Sequence, residues 1–176
     1  SVKLGEGLYN IPQNAFAYCS KLNSINLENV TTIGEDAFGF SGLTEIDLSN
    51  VSEIGKYAFV YCEYLENVKL NPEKSDINEG AFAYCGTLAN VENLGKVEKI
   101  GSFAFAYTLV DDIDLSSAIT VDDHAFIKSE YTAINLVTII LLIINIHFFH
   151  KRIYFVVIRT LFGMLAIRAT LSSELT

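Results

Sequence analysis

Apolar positions along the first three quarters of the chain fall into a recurring order. The pair Ala-Phe stands at 15–16, 37–38, 58–59, 81–82, 104–105 and 125–126, so successive phenylalanines lie 22, 21, 23, 23 and 21 residues apart. Four residues before each alanine is a β-branched residue: Ile11, Ile33, Ile54, Ile77, Ile100 and Val121. Two residues after each phenylalanine comes Tyr18, Phe40, Tyr61, Tyr84 or Tyr107, with Lys128 in the last copy, and then a small residue, Cys19, Ser41, Cys62, Cys85, Thr108 or Ser129. A leucine anchor and an apolar-polar-apolar triplet follow, as in Ile25-Asn26-Leu27, Ile46-Asp47-Leu48 and Val68-Lys69-Leu70. Period two predicts a short strand with its middle side chain outward. A second extended piece leads to the β-branched site, as in Val30-Thr31-Thr32-Ile33. The Gly-x-x-Ala-Phe-Ala-Tyr-Cys stretch is spaced for turns or a short helix.

A unit of about 22 residues cannot close a core alone, and stacking copies gives every apolar column a partner. The expected fold is an α/β-type repeat solenoid over residues 1–136, leucine-rich-repeat-like, with parallel β-ladders joined by turns or short helices. About six copies are expected. The first begins inside a repeat at Val2-Lys3-Leu4, with no capping unit or signal peptide before it, so the chain reads as a piece of a longer, N-terminally extended protein. Two irregularities stand out. After Leu70 the usual valine gives way to Asn71-Pro72-Glu73-Lys74-Ser75-Asp76, which predicts a loop bulging off the solenoid, because Pro72 has no ladder donor. Gly34, Gly55 and Gly101 are matched by Pro12, Asn78 and Asp122 elsewhere. Either that position needs no positive φ or the first copy is distorted.

The stretch 43–62, Leu-Thr-Glu-Ile-Asp-Leu-Ser-Asn-Val-Ser-Glu-Ile-Gly-Lys-Tyr-Ala-Phe-Val-Tyr-Cys, resembles a leucine-rich repeat of the BspA type, and the resemblance covers roughly residues 2–136. It implies a surface or secreted protein of the kind found in bacteria and parasitic protists. It also implies adhesion or binding of host proteins rather than catalysis.

Beyond Leu136 the repeat stops. Residues 1–132 carry 20 acidic and 8 basic side chains, whereas 133–176 carry 1 and 4, so an acidic segment precedes a basic, apolar one. Twenty residues, 131–150, lack any Asp, Glu, Lys or Arg. As a helix they would span about 30 Å, a bilayer core, with His150-Lys151-Arg152 on the cytoplasmic flank. The expected tail, 137–176, is therefore an apolar helical segment that anchors the repeats at a cell surface. Against this, Arg159 interrupts a second apolar run, no linker separates the span from the last triplet, and the Ile, Phe, Asn and Lys bias fits an out-of-frame reading. A non-native tail and a buried capping helix stay open, and with them a secreted or cytoplasmic soluble protein.

The net charge of −9 excludes a nucleic-acid binder, which needs a basic face. No phosphate-cradling glycine motif, H-E-x-x-H or G-x-S-x-G is present, and no histidine has a nucleophile or ligand set around it, so no enzyme, metal site or cofactor is expected. Cys19, Cys62 and Cys85 share a column with serine and threonine and read as packing, with a Cys62–Cys85 disulfide as the lesser alternative. Asp111, Asp112, Asp114, Asp122 and Asp123 read as a solvated acidic face, since calcium needs converging oxygens. The tyrosine column reads as a packing ladder before a binding stripe.

What remains is the outward side of the triplets. Asn26, Glu45, Asp47, Glu66, Lys69, Glu92, Asp112 and Asp114, with Asn23, Ser24 and Asn67, are expected to line one sheet face that meets basic or neutral protein partners of a host or neighbouring cell. The expected function is a non-catalytic surface binding module. The alternatives are a scaffold segment without a ligand, or a cytoplasmic interaction repeat.

Overall fold

The structure, a computed structural model, describes residues 2–129 and the backbone of 133–134. It is a parallel β-solenoid of about five turns, leucine-rich-repeat-like, with almost no helix. The expected span over 131–150 and the rest of the tail lie outside the described residues.

From the third copy on, each turn contributes two short strands; in the first two the triplet site is a single bridge, Val2 to Ile25. The β-branched sites form one ladder through β1 (Asn10–Ile11), β2 (Thr32–Ile33), β4 (Glu53–Ile54), β6 (Ser75–Ile77), β8 (Val97–Ile100) and β10 (Thr120–Val121). The triplets form a second through β3 (Glu45–Asp47), β5 (Asn67–Lys69) and β7 (Asn90–Glu92), while β9 (Asp112–Ile113) pairs with β11 (Ala133–Ile134). All pairs are parallel and join equivalent positions, so Ile11, Ile33, Ile54, Ile77 and Ile100 are register partners in sequence. Between the ladders, Leu43, Leu48, Val51, Leu65, Leu70 and Leu88 are fully buried with Phe38, Phe59, Phe82 and Phe105.

The Ala-Phe stretch forms consecutive turns, and the α component expected there is absent among the described residues, where a single 3-10 turn at Leu94–Lys96 is the one helical element. The reason lies in the backbone. The residue before each alanine (Asn14, Asp36, Tyr57, Gly80, Phe103, His124) and the residue two after each phenylalanine (Tyr18, Phe40, Tyr61, Tyr84, Tyr107, Lys128) have φ between 53° and 63°. A left-handed residue every fourth position stops an α-helix from propagating. The amides then divide their partners. Ala37, Gly39 and Ser41 donate within the copy to Gly34, Asp36 and Phe38, while Asp36, Phe38 and Phe40 donate to Lys56, Ala58 and Val60 of the next copy. The turns are thus a third ladder, built from hydrogen bonds of 2.7–3.0 Å.

The two irregularities resolve simply. Gly34, Gly55 and Gly101 do not take a positive φ, so their column does not require one; Gly80, at +60°, is the positive-φ glycine. The valine missing after Leu70 is replaced by Ser75, which pairs in register with Val97, is fully buried and donates Oγ to the Val51 carbonyl at 3.4 Å. The extra residues precede it, held by Asn71 Oδ1, which accepts the amides of Glu73 and Lys74.

Candidate binding face

Alternation in the triplets puts Ile46 and Val68 into the core and turns their neighbours to solvent. Register then aligns the outward side chains across copies. Glu45, Asn67 and Asn90 make one column, in which the Asn90 amide donates to Asn67 Oδ1 at 2.8 Å. Asp47, Lys69 and Glu92 make the next, in which Lys69 Nζ lies 3.4 Å from Asp47 Oδ2. Columns of polar groups at strand spacing, held by a paired sheet, form a rigid array.

Of the expected face residues, Glu45, Asp47, Lys69 and Glu92 are brought together in these columns, exposed and facing one way. Asn26 is exposed one residue beyond Ile25, which bridges to Val2, and Asp112 is exposed on β9. Asp114 follows β9 and lies against Gly95 of the preceding copy. Glu66 is exposed but falls one residue before β5, at the level of Thr44, whose carbonyl accepts its amide at 2.9 Å. The position beside Glu45 belongs to Asn67, and Asn90 continues that column. The sequence already puts Asn67 on this face; Asn90, one residue before the half-buried Val91, is the member it leaves out.

Three of the face residues also hold local structure. Asn26 accepts the amide of Glu28, Asp47 that of Ser49 and Asp114 that of Ser116, each at 2.9 Å. These Asx turns close the strand exits. The Ser49 hydroxyl bonded to Asp47, with the Lys69 ammonium beside it, holds that carboxyl below its ordinary range.

A second exposed feature lies along the turns. The rings of Tyr18, Phe40, Tyr61, Tyr84 and Tyr107 stack with centroids 4.5–4.9 Å apart and interplanar angles of 4–12°. Lys128 Nζ ends the row, 5.9 Å from the Tyr107 ring centre. The column is a packing ladder, as expected, yet its rings stay partly in solvent, from 36% exposed at Tyr61 to 74% at Tyr18. Burial, reinforced by the phenols of Tyr107 and Tyr61, pushes the Tyr84 phenol up.

The cysteines do what their column suggested, except at its first member. Cys62 and Cys85 are buried free thiols donating to the Phe38 and Phe59 carbonyls of the preceding copy, both at 3.1 Å, as Ser129 does to Phe105. Burial pushes the Cys85 thiol well above its ordinary value, which keeps it a donor. Cys19 is exposed, because no earlier copy covers it among the described residues. His124 stacks on Phe103 at 5.1 Å, a surface packing role. Among the described residues no three His, Cys, Asp or Glu side chains converge to hold a metal, and no helix is long and apolar enough to cross a membrane.

Comparison with known proteins settles what this repeat is. The BspA type leucine rich repeat region matches in six copies over residues 1–110 and 31–154. The chain belongs to that family. Its fold is similar to a leucine-rich repeat protein from Bacteroides ovatus, at 27% identity and a TM-score of 0.52 over 62% of this chain and 35% of that one. It is also similar to the T. pallidum leucine rich repeat protein, at 31% identity and a TM-score of 0.54, covering 59% and 50% of the two chains. The pneumococcal vaccine antigen PcpA matches at 26% identity and a TM-score of 0.50, covering 61% and 28%. The matched part thus spans half or less of these solved chains. No curated protein sequence matches.

Proposed function

We propose that this BspA-type chain is a non-catalytic protein-binding module that acts at a cell surface, with the triplet sheet as its contact face. The observation that carries this reading is the pair of in-register outward columns, Glu45–Asn67–Asn90 and Asp47–Lys69–Glu92. Side chains fixed at strand spacing on a stiff array meet a partner with little ordering cost, and many weak polar contacts add along it. The excess of carboxylates selects a basic or neutral protein surface. Family membership and the likeness to a vaccine antigen support a position outside the cell. The apolar run 131–150 is the proposed anchor.

Two experiments test the reading. Beads carrying the full chain are incubated with surface-biotinylated epithelial-cell proteins, beside beads carrying Glu45→Ala/Asp47→Ala/Glu92→Ala/Asp112→Ala. Capture by the parent that drops at least tenfold in the variant is expected; equal capture by both rejects the sheet face. Alkaline-carbonate extraction of source membranes, probed with an antibody to residues 2–129, tests the anchor. Antigen in the pellet is expected, and antigen released to the supernatant rejects a spanning tail.

A further inference from the structure

The outer aromatic ladder contains three consecutive tyrosines, and their arrangement has chemistry that phenylalanine would not have. Tyr61 and Tyr84 have ring centres 4.5 Å apart at an interplanar angle of 4°; Tyr84 and Tyr107 follow at 4.6 Å and 10°. The turn ladder fixes their backbones, since the Tyr61 amide donates to Ala83, the residue before Tyr84, and the Tyr84 amide to Ala106, the residue before Tyr107. Each ring is 36–39% exposed, so one edge of the stack faces solvent while the faces cover each other. Two phenols held side by side and open to an oxidant meet the geometric demand of an intramolecular coupling, in which proximity replaces a bimolecular encounter.

We propose that Tyr61, Tyr84 and Tyr107 form an oxidative cross-linking site, at which neighbouring turns are joined by a dityrosine bond. The co-reactants are hydrogen peroxide and a haem peroxidase as the one-electron oxidant. Each of two adjacent phenols loses one electron and its phenolic proton to become a phenoxyl radical. The radicals combine at ring carbons ortho to oxygen, forming one C–C bond, and loss of the hydrogen from each of those carbons to the phenol oxygens restores both aromatic rings. Overall, two tyrosines and one peroxide give one dityrosine and two water molecules. The exposed edge lets the rings splay from parallel as the bond forms. The product staples one solenoid turn to the next across about 23 residues of chain, a constraint on the unfolded state like that of a disulfide, and it needs no thiol. Outside a cell, where peroxide and peroxidases meet proteins, this would lock the repeat array.

The full chain is treated with hydrogen peroxide and horseradish peroxidase at several protein dilutions and digested with trypsin. Residues 75–96 and 100–128 are tryptic segments with one tyrosine each, Tyr84 and Tyr107, so their union is unambiguous. The expected product is that pair, two hydrogens lighter than the sum, from chains that migrate as monomers, at a yield independent of dilution. Tyr84→Phe should abolish both this pair and the Tyr61–Tyr84 pair; the ladder accepts Phe40 at the same position, so the stack survives. Tyr107→Phe should leave the Tyr61–Tyr84 product. Cross-links confined to the more exposed Tyr9, Tyr18 and Tyr64, yields that rise with protein concentration, or oxidation without coupling would each overturn the proposal.

Discussion

Two aromatic ladders run along this solenoid, two residues apart in five of the six copies. The inner one, Phe16 to Phe126, stacks at 5.1–5.3 Å, and the outer one, Tyr18 to Tyr107, at 4.5–4.9 Å. Spacing in both is set by the same backbone hydrogen bonds between copies, so stacking by itself does not separate structural from surface residues. Solvent does. Phe38 is completely buried, whereas Phe40 in the same copy is 40% exposed and has a φ of 59°. The inner ladder draws on the hydrophobic effect, at roughly 25 cal/mol per Å² removed from water. The outer ladder draws mainly on ring–ring contact and sits on a backbone conformation that disfavours any side chain.

That contrast is open to direct attack. Phe38→Ala should lower unfolding free energy by about 3–5 kcal/mol, because a cavity in a packed column adds to the lost transfer energy. Urea denaturation of the full chain measures it, and a loss below about 1 kcal/mol would mean the inner ladder is not the core. Phe40→Ala removes two stacks and should cost about 1–2 kcal/mol. Phe40→Gly should be the milder of the two changes, by about 1 kcal/mol, since glycine takes a positive φ without strain; the reverse order would rule out the left-handed turn. Ser75→Val restores the valine that its column carries elsewhere and should raise stability by about 1 kcal/mol, read as a shift in thermal midpoint.

The smallest effect belongs to the exposed sheet face. The Asp47 carboxyl is held below its ordinary value of 3.8 by Ser49 and Lys69, so its contribution is present above that pH and fades as pH falls through the lower folded-state value. Screening by solvent keeps it small. Asp47→Asn should therefore flatten the acid limb of stability slightly and leave stability at neutral pH nearly unchanged. A large loss at neutral pH would show that this face is structural rather than a contact surface.

Much of the fold was legible because a stacked repeat turns sequence period into lateral neighbourhood. Equivalent residues in successive copies become partners, so spacing alone sets Ile33, Ile54, Ile77 and Ile100 in one column. Glu45, Asp47, Lys69 and Glu92 were placed on one face by the same logic. Glu66 falls one position off because Glu66 and Asn67 are both polar at the strand entrance, and hydropathy alone does not set the register.

The sequence by itself determined the period, the parallel columns and the family, since each follows from which residue type recurs at which interval. Tertiary structure decided the rest. Ser75, not Asn71, fills the gap in the valine column, because the extra residues turn before the strand, where Asn71 Oδ1 accepts the amides of Glu73 and Lys74. The Ala-Phe stretch is turn rather than helix, because left-handed residues interrupt it and its amides find partners in the next copy. Tyrosine, aspartate, asparagine and histidine occupy those left-handed positions in turn, and no composition rule picks them out. Side-chain hydropathy records burial, whereas the sign of φ is settled by where the backbone hydrogen bonds go, and only the assembled stack fixes that.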